Sequence, residues 1–393
     1  MKKMYTAIFV LLIVLQILLP VTGLSEAPSD MTKSCNIVVS QGKAKSLLST
    51  NIKEYWYNKQ AGATVTVQAP GAEDIGGLYI RWYQEPKGYT IDAYGHDDNL
   101  LSQKTDDDYY IGIVNFFPME PGVSRIVLTM AEPEQKISTL RVSTGDVPFG
   151  TLQNWNKPVE KADIMVISTH QDDELLYFGG TIPYYNTVRG MNTLVMYMAD
   201  CGRSRREEAL NGLWVMGLRD YPVFLNMKDK QVKSIDSGLE LWGGEDRIIR
   251  TLVEQIRKFR PEVIVTHDLK GEYGHNQHRI TARLSQKAVD AAADPSQYAE
   301  SASAYGAWQV KKLYLHLYKE NGITMDWKIA YPELDGSTPS KVAERGYDQH
   351  ASQHKYYTYR DGGKYDNAKF GLAFTVVGDD VEKNDFFENV PLQ

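Results

Sequence analysis

Two hydrophobic patterns divide the chain. Between Cys35 and Val147, short runs rich in β-branched and aromatic residues recur with partial alternation: Ala63–Ala69, Leu78–Gln84, Tyr89–Gly95, Tyr109–Phe117, Ser124–Met130 and Ile137–Ser143. Clusters of Gly, Pro, Asp and Asn separate them, a spacing that predicts an all-β sandwich over 33–147. Thr144–Pro158 reads as a linker. Beyond it, apolar runs at Ala162–Ser168, Asn192–Ala199, Tyr221–Met227, Glu262–His267 and Val310–Tyr318 predict buried strands. Helical segments alternate with them at Arg205–Gly217, Glu245–Phe259 and Gln277–Ala293. In Glu245–Phe259 the residues Ile249, Leu252, Val253 and Ile256 form one stripe. This alternation predicts an α/β domain over 159–335, with a mainly parallel sheet and helices on both faces. Residues 336–393 read as an extension that completes or covers it.

The N-terminus carries a separate signal. Two lysines, an apolar run and then small residues lead to Ala27, the three-part layout of a secretory leader over 1–26. Gln16 and Pro20 make the run short for a spanning helix. The expectation is a secreted or cell-surface protein with no stable membrane span after cleavage, the rival being a retained anchor.

Composition narrows the partners. Apolar residues make up 42% of 393 and charged residues 24%, enough for a sizeable core. The net charge of −7 argues against nucleic acid or an anionic membrane as the main partner. Two cysteines, Cys35 and Cys201, fall in different predicted domains and read as free thiols rather than a disulfide framework. Oligomeric state is open.

The chemistry gathers at the carboxyl ends of the predicted strands, where ligands bind in open α/β sheets. After Ala162–Ser168 come His170, Asp172, Asp173 and Glu174. After Glu262–His267 come His275 and His278, three residues apart at the start of a helix, so that both rings face the same way. His170 and Asp173 share that spacing. Two histidines and a carboxylate form a catalytic zinc set with an open position. Four candidate ligands leave one group spare, and Asp172 is placed as the base that takes a proton from water. His316 reads as structural inside an apolar strand, while His96, His350 and His354 read as surface or loop residues, with a place lining a lid as the alternative for the last two.

"HQDDELLYFGG" and "GEYGHNQHR", with Arg205, Glu208 and Gly217 between them and Ser352-Gln353 after them, resemble the PIG-L/LmbE-like deacetylases over about Lys161–Gln353. These are metal-dependent N-acetylglucosaminyl deacetylases on a Rossmann-like fold. The resemblance implies that His170, Asp173 and His278 hold Zn²⁺, or another divalent transition metal, and that Asp172 is the general base. It further implies that His275 steadies the oxyanion or protonates the leaving amine, that Tyr273 closes over the carbonyl, and that Arg205 and Asp229 bind sugar hydroxyls. Gln171 stands where the family has proline, with its side chain expected to face away from the metal. Gln277 stands where many members have aspartate, which removes a carboxylate expected beside His275. The N-terminal runs resemble galactose-binding-like sandwiches more faintly, and a sugar-binding or a purely packing role fits equally. The implied function is an exported zinc deacetylase of N-acetylated amino sugars. Its rivals are a non-enzymatic glycan-binding surface protein and a metal hydrolase of a non-sugar amide.

Overall fold

The structure, a computed structural model, describes residues 27–391 apart from 50, 52 and 107–111. The expected leader and the start of the run at Tyr109 lie outside that description. The N-terminal strands are β1 (Asn36–Val39), β2 (Trp56–Tyr57), β3 (Thr64–Gln68), β4 (Gly77–Trp82), β5 (Tyr89–Gly95), β6 (Leu100–Thr105), β7 (Val114–Pro118), β8 (Val123–Met130) and β9 (Lys136–Ser143). They form two sheets, ordered β1-β3-β8-β5-β6 and β2-β9-β4-β7. Every pairing in them is antiparallel. The period of two is visible in burial: Tyr89, Ile91 and Ala93 of β5 are buried, whereas Thr90, Asp92 and Tyr94 are only partly so.

The remaining strands are β10 (Ile164–Ser168), β11 (Thr193–Asp200), β12 (Val223–Lys228), β13 (Val263–Thr266), β14 (Lys312–His316), β15 (Gly322–Thr324) and β16 (Lys369–Thr375). They build one sheet in the order β12-β11-β10-β13-β14-β16-β15. The first five are parallel, whereas β16 runs antiparallel to both β14 and β15. The sheet is therefore mixed, not parallel throughout, because the C-terminal extension inserts a strand between β14 and β15.

The helices are α1 (Asp173–Leu176), α2 (Arg203–Val215), α3 (Ile235–Leu241), α4 (Glu245–Phe259), α5 (Asn276–Ala293), α6 (Ala299–Tyr305) and α7 (Pro339–Tyr347). Strand β10 is buried along its whole length, which explains its unbroken apolar run. Ile164 and Val166 join a core with Ala209, Leu210 and Leu213 of α2 and Val342 and Ala343 of α7. Met165 and Ile167 join a second core with Leu252, Val253 and Ile256 of α4 and Ile280 and Leu284 of α5. Helices α2 and α7 meet at Gly212, where an added Cβ would lie 3.0 Å from the Gly346 carbonyl and 3.1 Å from His350 Nε2. A side chain there would push the helices apart.

The segment read as a linker is packed rather than loose. Trp155 is buried, with its ring edge-on to Trp214 at 5.3 Å and Tyr221 at 5.7 Å. The sandwich docks on α2. Arg203 donates to the Trp82 carbonyl (2.7 Å) and Ser138 Oγ (2.8 Å), and Glu207 pairs with Arg203 (2.6 Å) and Arg81 (3.0 Å). Among the described residues no helix is long and apolar enough to cross a membrane, and both cysteines are free.

Candidate metal centre

The order of the parallel strands reverses between β10 and β13, and the crevice of such a sheet opens at their carboxyl ends. There the chain turns sharply. Asp172 sits at φ 136°, ψ −23°, a conformation that non-glycine residues rarely adopt. Glu174 Oε2 accepts the Asp172 N–H at 2.9 Å, and Asp173 Oδ2 accepts the His170 N–H at 2.8 Å. The strained turn is thus held by the two acidic side chains that follow it.

It brings three donor atoms together. His170 Nδ1 lies 3.0 Å from Asp173 Oδ2 and 3.1 Å from His278 Nε2, and the last two are 3.1 Å apart. Three ligands of a tetrahedral zinc ion stand about 3.3 Å from one another, so this triangle needs little expansion to hold one. The opposite ring nitrogens are already engaged. His170 Nε2 donates to Gln277 Oε1 (3.1 Å), and His278 Nδ1 donates to Glu272 Oε2 (2.7 Å). In its neutral form each ring therefore turns a lone pair toward the triangle, which is the role of outer partners around a metal. The residues fit a divalent transition metal.

His267 comes close as well, but it has no lone pair to offer. Its Nε2 accepts the Thr169 N–H at 2.9 Å, and its Nδ1 donates to Glu272 Oε2 at 2.9 Å. His275 is the spare group. Its ring lies edge-on to His170, with centroids 4.8 Å apart, and its buried Nδ1 has no partner. Burial, reinforced by His278 and His170, lowers its pKa to about 3, so the ring is neutral.

The carboxylates are set in opposite directions. Burial, reinforced by the charge of Asp173, pushes Asp172 well above the ordinary range, against the pull of Arg205 at 2.8 Å. Burial acts on Asp173 too, but His278 and His170 outweigh it and hold that carboxyl well below the ordinary range. Burial would likewise lower His278, yet Asp173 and Glu272 raise its pKa to about 10, so a proton occupies the triangle when no cation does.

The other predicted residues line the same cleft, about 710 Å³ in volume. Arg205 is there, but its guanidinium is engaged by Asp172 and by the Gln171 carbonyl. Asp229 is partly exposed, 3.6 Å from His170 Nε2. Tyr273, at φ 48°, is nearly half exposed, and its hydroxyl meets that of Tyr357 at 3.4 Å. Gln171 faces away from the triangle, as expected: it donates to the Ala199 carbonyl and accepts from Cys201 N–H. Gln277 corrects the reading. Its carbonyl supports His170 rather than standing beside His275, because helix α5 turns it toward β10.

Glu272 went unread in the sequence. Glu272 is wholly buried and accepts from His278, His267, His316 (2.7 Å) and the Asp268 N–H (3.2 Å). His316 is accordingly part of the support around the centre. His350 is not a surface residue: it is fully buried under α2, with its Nε2 3.9 Å from Glu174 Oε1. Ser352 is bonded to Glu208 through both N–H (2.8 Å) and Oγ (2.7 Å). Those bonds dock the C-terminal extension onto α2 and bring Gln353, Tyr356 and Tyr357 to the cleft.

A 1D-myo-inositol 2-acetamido-2-deoxy-α-D-glucopyranoside deacetylase of Catenulispora acidiphila is 28% identical over 216 residues, 45% of this chain and 59% of the relative. The chain thus spans about three fifths of that curated relative's length. An N,N'-diacetylchitobiose deacetylase structure from Pyrococcus horikoshii aligns with 49% of this chain and 72% of its own, at 18% identity and a TM-score of 0.36. A family 32 carbohydrate-binding module of Clostridium perfringens aligns with 29% of this chain and 98% of its own, at 14% identity and a TM-score of 0.25. The family model described as PIG-L, GlcNAc-PI de-N-acetylase, matches residues 165–289, a span that holds the whole donor triangle, and these residues form a PIG-L family domain.

Proposed function

We propose that the chain is a metal-dependent deacetylase of N-acetylated amino sugars of the N-acetylglucosamine type, with zinc as the metal. The observation that carries the reading is the meeting of His170 Nδ1, Asp173 Oδ2 and His278 Nε2 within 3.1 Å, beside the buried Asp172 and in an open cleft. The deacetylase relatives support the choice of substrate class. A divalent cation held by those three side chains would polarise an amide carbonyl and acidify a water.

The residues around it supply the remaining chemistry. Asp172 takes the proton of the attacking water. Its carboxylate is buried directly beside the triangle, where such a base is needed. Arg205, at 2.8 Å, holds its carboxylate in one orientation. As the water oxygen bonds to the acetyl carbon, negative charge collects on the former carbonyl oxygen. Neutral His275 can donate an N–H to it, and the Tyr273 hydroxyl can do the same. Breakage of the C–N bond then needs a proton on the amine, and Asp172 returns the one it took. The products are acetate and a free amino sugar. The leader pattern extends the proposal to an exported enzyme.

The test is acetate release from a panel of N-acetylated amino sugars before and after chelation. Release that is lost on chelation and restored by Zn²⁺ supports the reading. Release indifferent to chelation, or none from any of the sugars, overturns it.

A further inference from the structure

The first turn of α2 breaks a local rule. It carries Arg203, Arg205 and Arg206 and no acidic residue, although the amino end of a helix is its positive pole. Its N-cap is Gly202 at φ 87°, which supplies no side-chain cap. A capping side chain and acids in the first turn are what usually secure a helix start. The start of α2 has neither, so other elements must hold it.

The sandwich does so. Arg203 reaches the Trp82 carbonyl of β4 and Ser138 Oγ of β9, and its guanidinium lies 4.5 Å from the centre of the Tyr83 ring. Glu207, buried one turn later, joins Arg203 to Arg81 of β4. Arg206 pairs with Glu85, in the loop after β4, at 2.7 Å. Arg205 points elsewhere, because residues two apart on a helix do not share a face. Its Nη2 lies 2.8 Å from Asp172 Oδ1, and its Nε donates to the Gln171 carbonyl at 3.1 Å. One turn of helix thus carries the grip of the sandwich on one side and the partner of Asp172 on the other. A long side chain holds its partner no more firmly than its own backbone is held. Asp172 depends on that hold, since its φ of 136° is a strained conformation that persists only where its surroundings enforce it.

We propose that Arg203 is a positioning residue for the reaction: through it the sandwich fixes the first turn of α2, so that Arg205 meets Asp172 in the orientation that water activation needs. This rests on the deacetylase reading above and gives the sandwich a part in turnover that requires no sugar bound to it.

The experiment uses the full chain loaded with Zn²⁺ and compares the wild type with Arg203→Ala and Leu128→Ala. Leu128 is buried in the sandwich core on β8, in the opposite sheet from Trp82 and Ser138. Metal affinity, kcat and KM for acetate release are measured well below the unfolding temperature. Arg203→Ala should lower kcat by about 10–100-fold, the scale of a misplaced reacting group, at unchanged KM and metal affinity. Leu128→Ala should lower the unfolding temperature and keep kcat. Equal kcat in the wild type and Arg203→Ala overturns the proposal and leaves the deacetylase reading intact. So does a loss of metal that accounts for the lost turnover, or an equal loss of kcat in Leu128→Ala. If Arg203→Ala does not fold, Ser138→Ala, which takes one acceptor from the same guanidinium, is read in the same way. If the wild type releases no acetate, the deacetylase reading falls, and hydrogen exchange decides the positioning alone. Faster exchange of the Asp172–Leu176 amides in Arg203→Ala but not in Leu128→Ala then supports it, and equal exchange overturns it.

Discussion

Glu272 is the residue whose replacement tests the centre most directly. Its two oxygens accept four donors: the Nδ1–H groups of His278 and His267 on Oε2, and His316 Nδ1–H with the Asp268 N–H on Oε1. Alanine would leave all four without an acceptor in a dry interior. At about 1–3 kcal/mol for each buried unsatisfied group, the loss is of the order of a whole domain's stability, and Glu272→Ala should fail to fold. Glutamine is different. Its carbonyl can keep His278 and His267, while its NH₂ replaces Oε1. His316 can answer by moving its proton to Nε2, which already faces the Asp366 carbonyl at 3.1 Å. Only the Asp268 N–H then lacks a partner, a cost of about 1–3 kcal/mol. The fold should survive Glu272→Gln, but His278 loses the carboxylate that makes it a strong ligand. Metal affinity should drop by about 10–100-fold, the usual effect of removing an outer carboxylate. The assay is competition with a chromophoric chelator, beside thermal unfolding of the metal-free protein. A folded Glu272→Gln that binds metal as tightly as the wild type would refute the reasoning.

Other expectations follow from the same geometry. Asp173→Ala should lose metal, whereas Asp172→Asn should retain it and lose turnover by about 10²–10⁴-fold, the contribution of a positioned base; an Asp172→Asn protein that loses metal would make Asp172 a ligand instead. His278 has its pKa raised to about 10, so below that pH the cation must displace its proton. Metal affinity should therefore climb as pH rises, with about one proton released per ion, read by calorimetry in buffers of different ionisation enthalpy; binding without proton release would contradict the assignment. Arg203→Ala removes the link between Glu207 and the Trp82 carbonyl, but Glu207 keeps Arg81, so the cost in urea unfolding should be about 1–3 kcal/mol, that of lost charge-assisted hydrogen bonds. An unchanged midpoint would show that Arg203 contributes nothing to holding the sandwich on α2.

What the sequence showed and what it hid follow from one distinction. The pairs His170/Asp173 and His275/His278 are local: three residues along a turn or a helix place both groups on one side, and a buried strand just before them locates the rim. That much is legible in letters. The support around the pairs is not, because it is assembled by strand register. His267 and His316 are far apart in the chain, yet Thr266 pairs with Leu315 across β13 and β14, so the next residue of each strand converges on the same carboxylate. Nothing in "GEYGH" distinguishes Glu272 from any acid in a loop. The C-terminal tail shows the same limit. "KFGLAFT" reads as mixed because its strand is half covered, and its partner β14 lies more than fifty residues upstream. His350 looked like a loop residue, and it is a loop residue, but one that Gly212 allows to sink against α2. The outer partners were invisible for the reason that makes them useful. They come from separate elements, so each orients a ligand only when the sheet, α5 and the tail are all in place. Metal affinity in this chain should therefore be sensitive to the global fold, well beyond the three residues proposed to hold the ion.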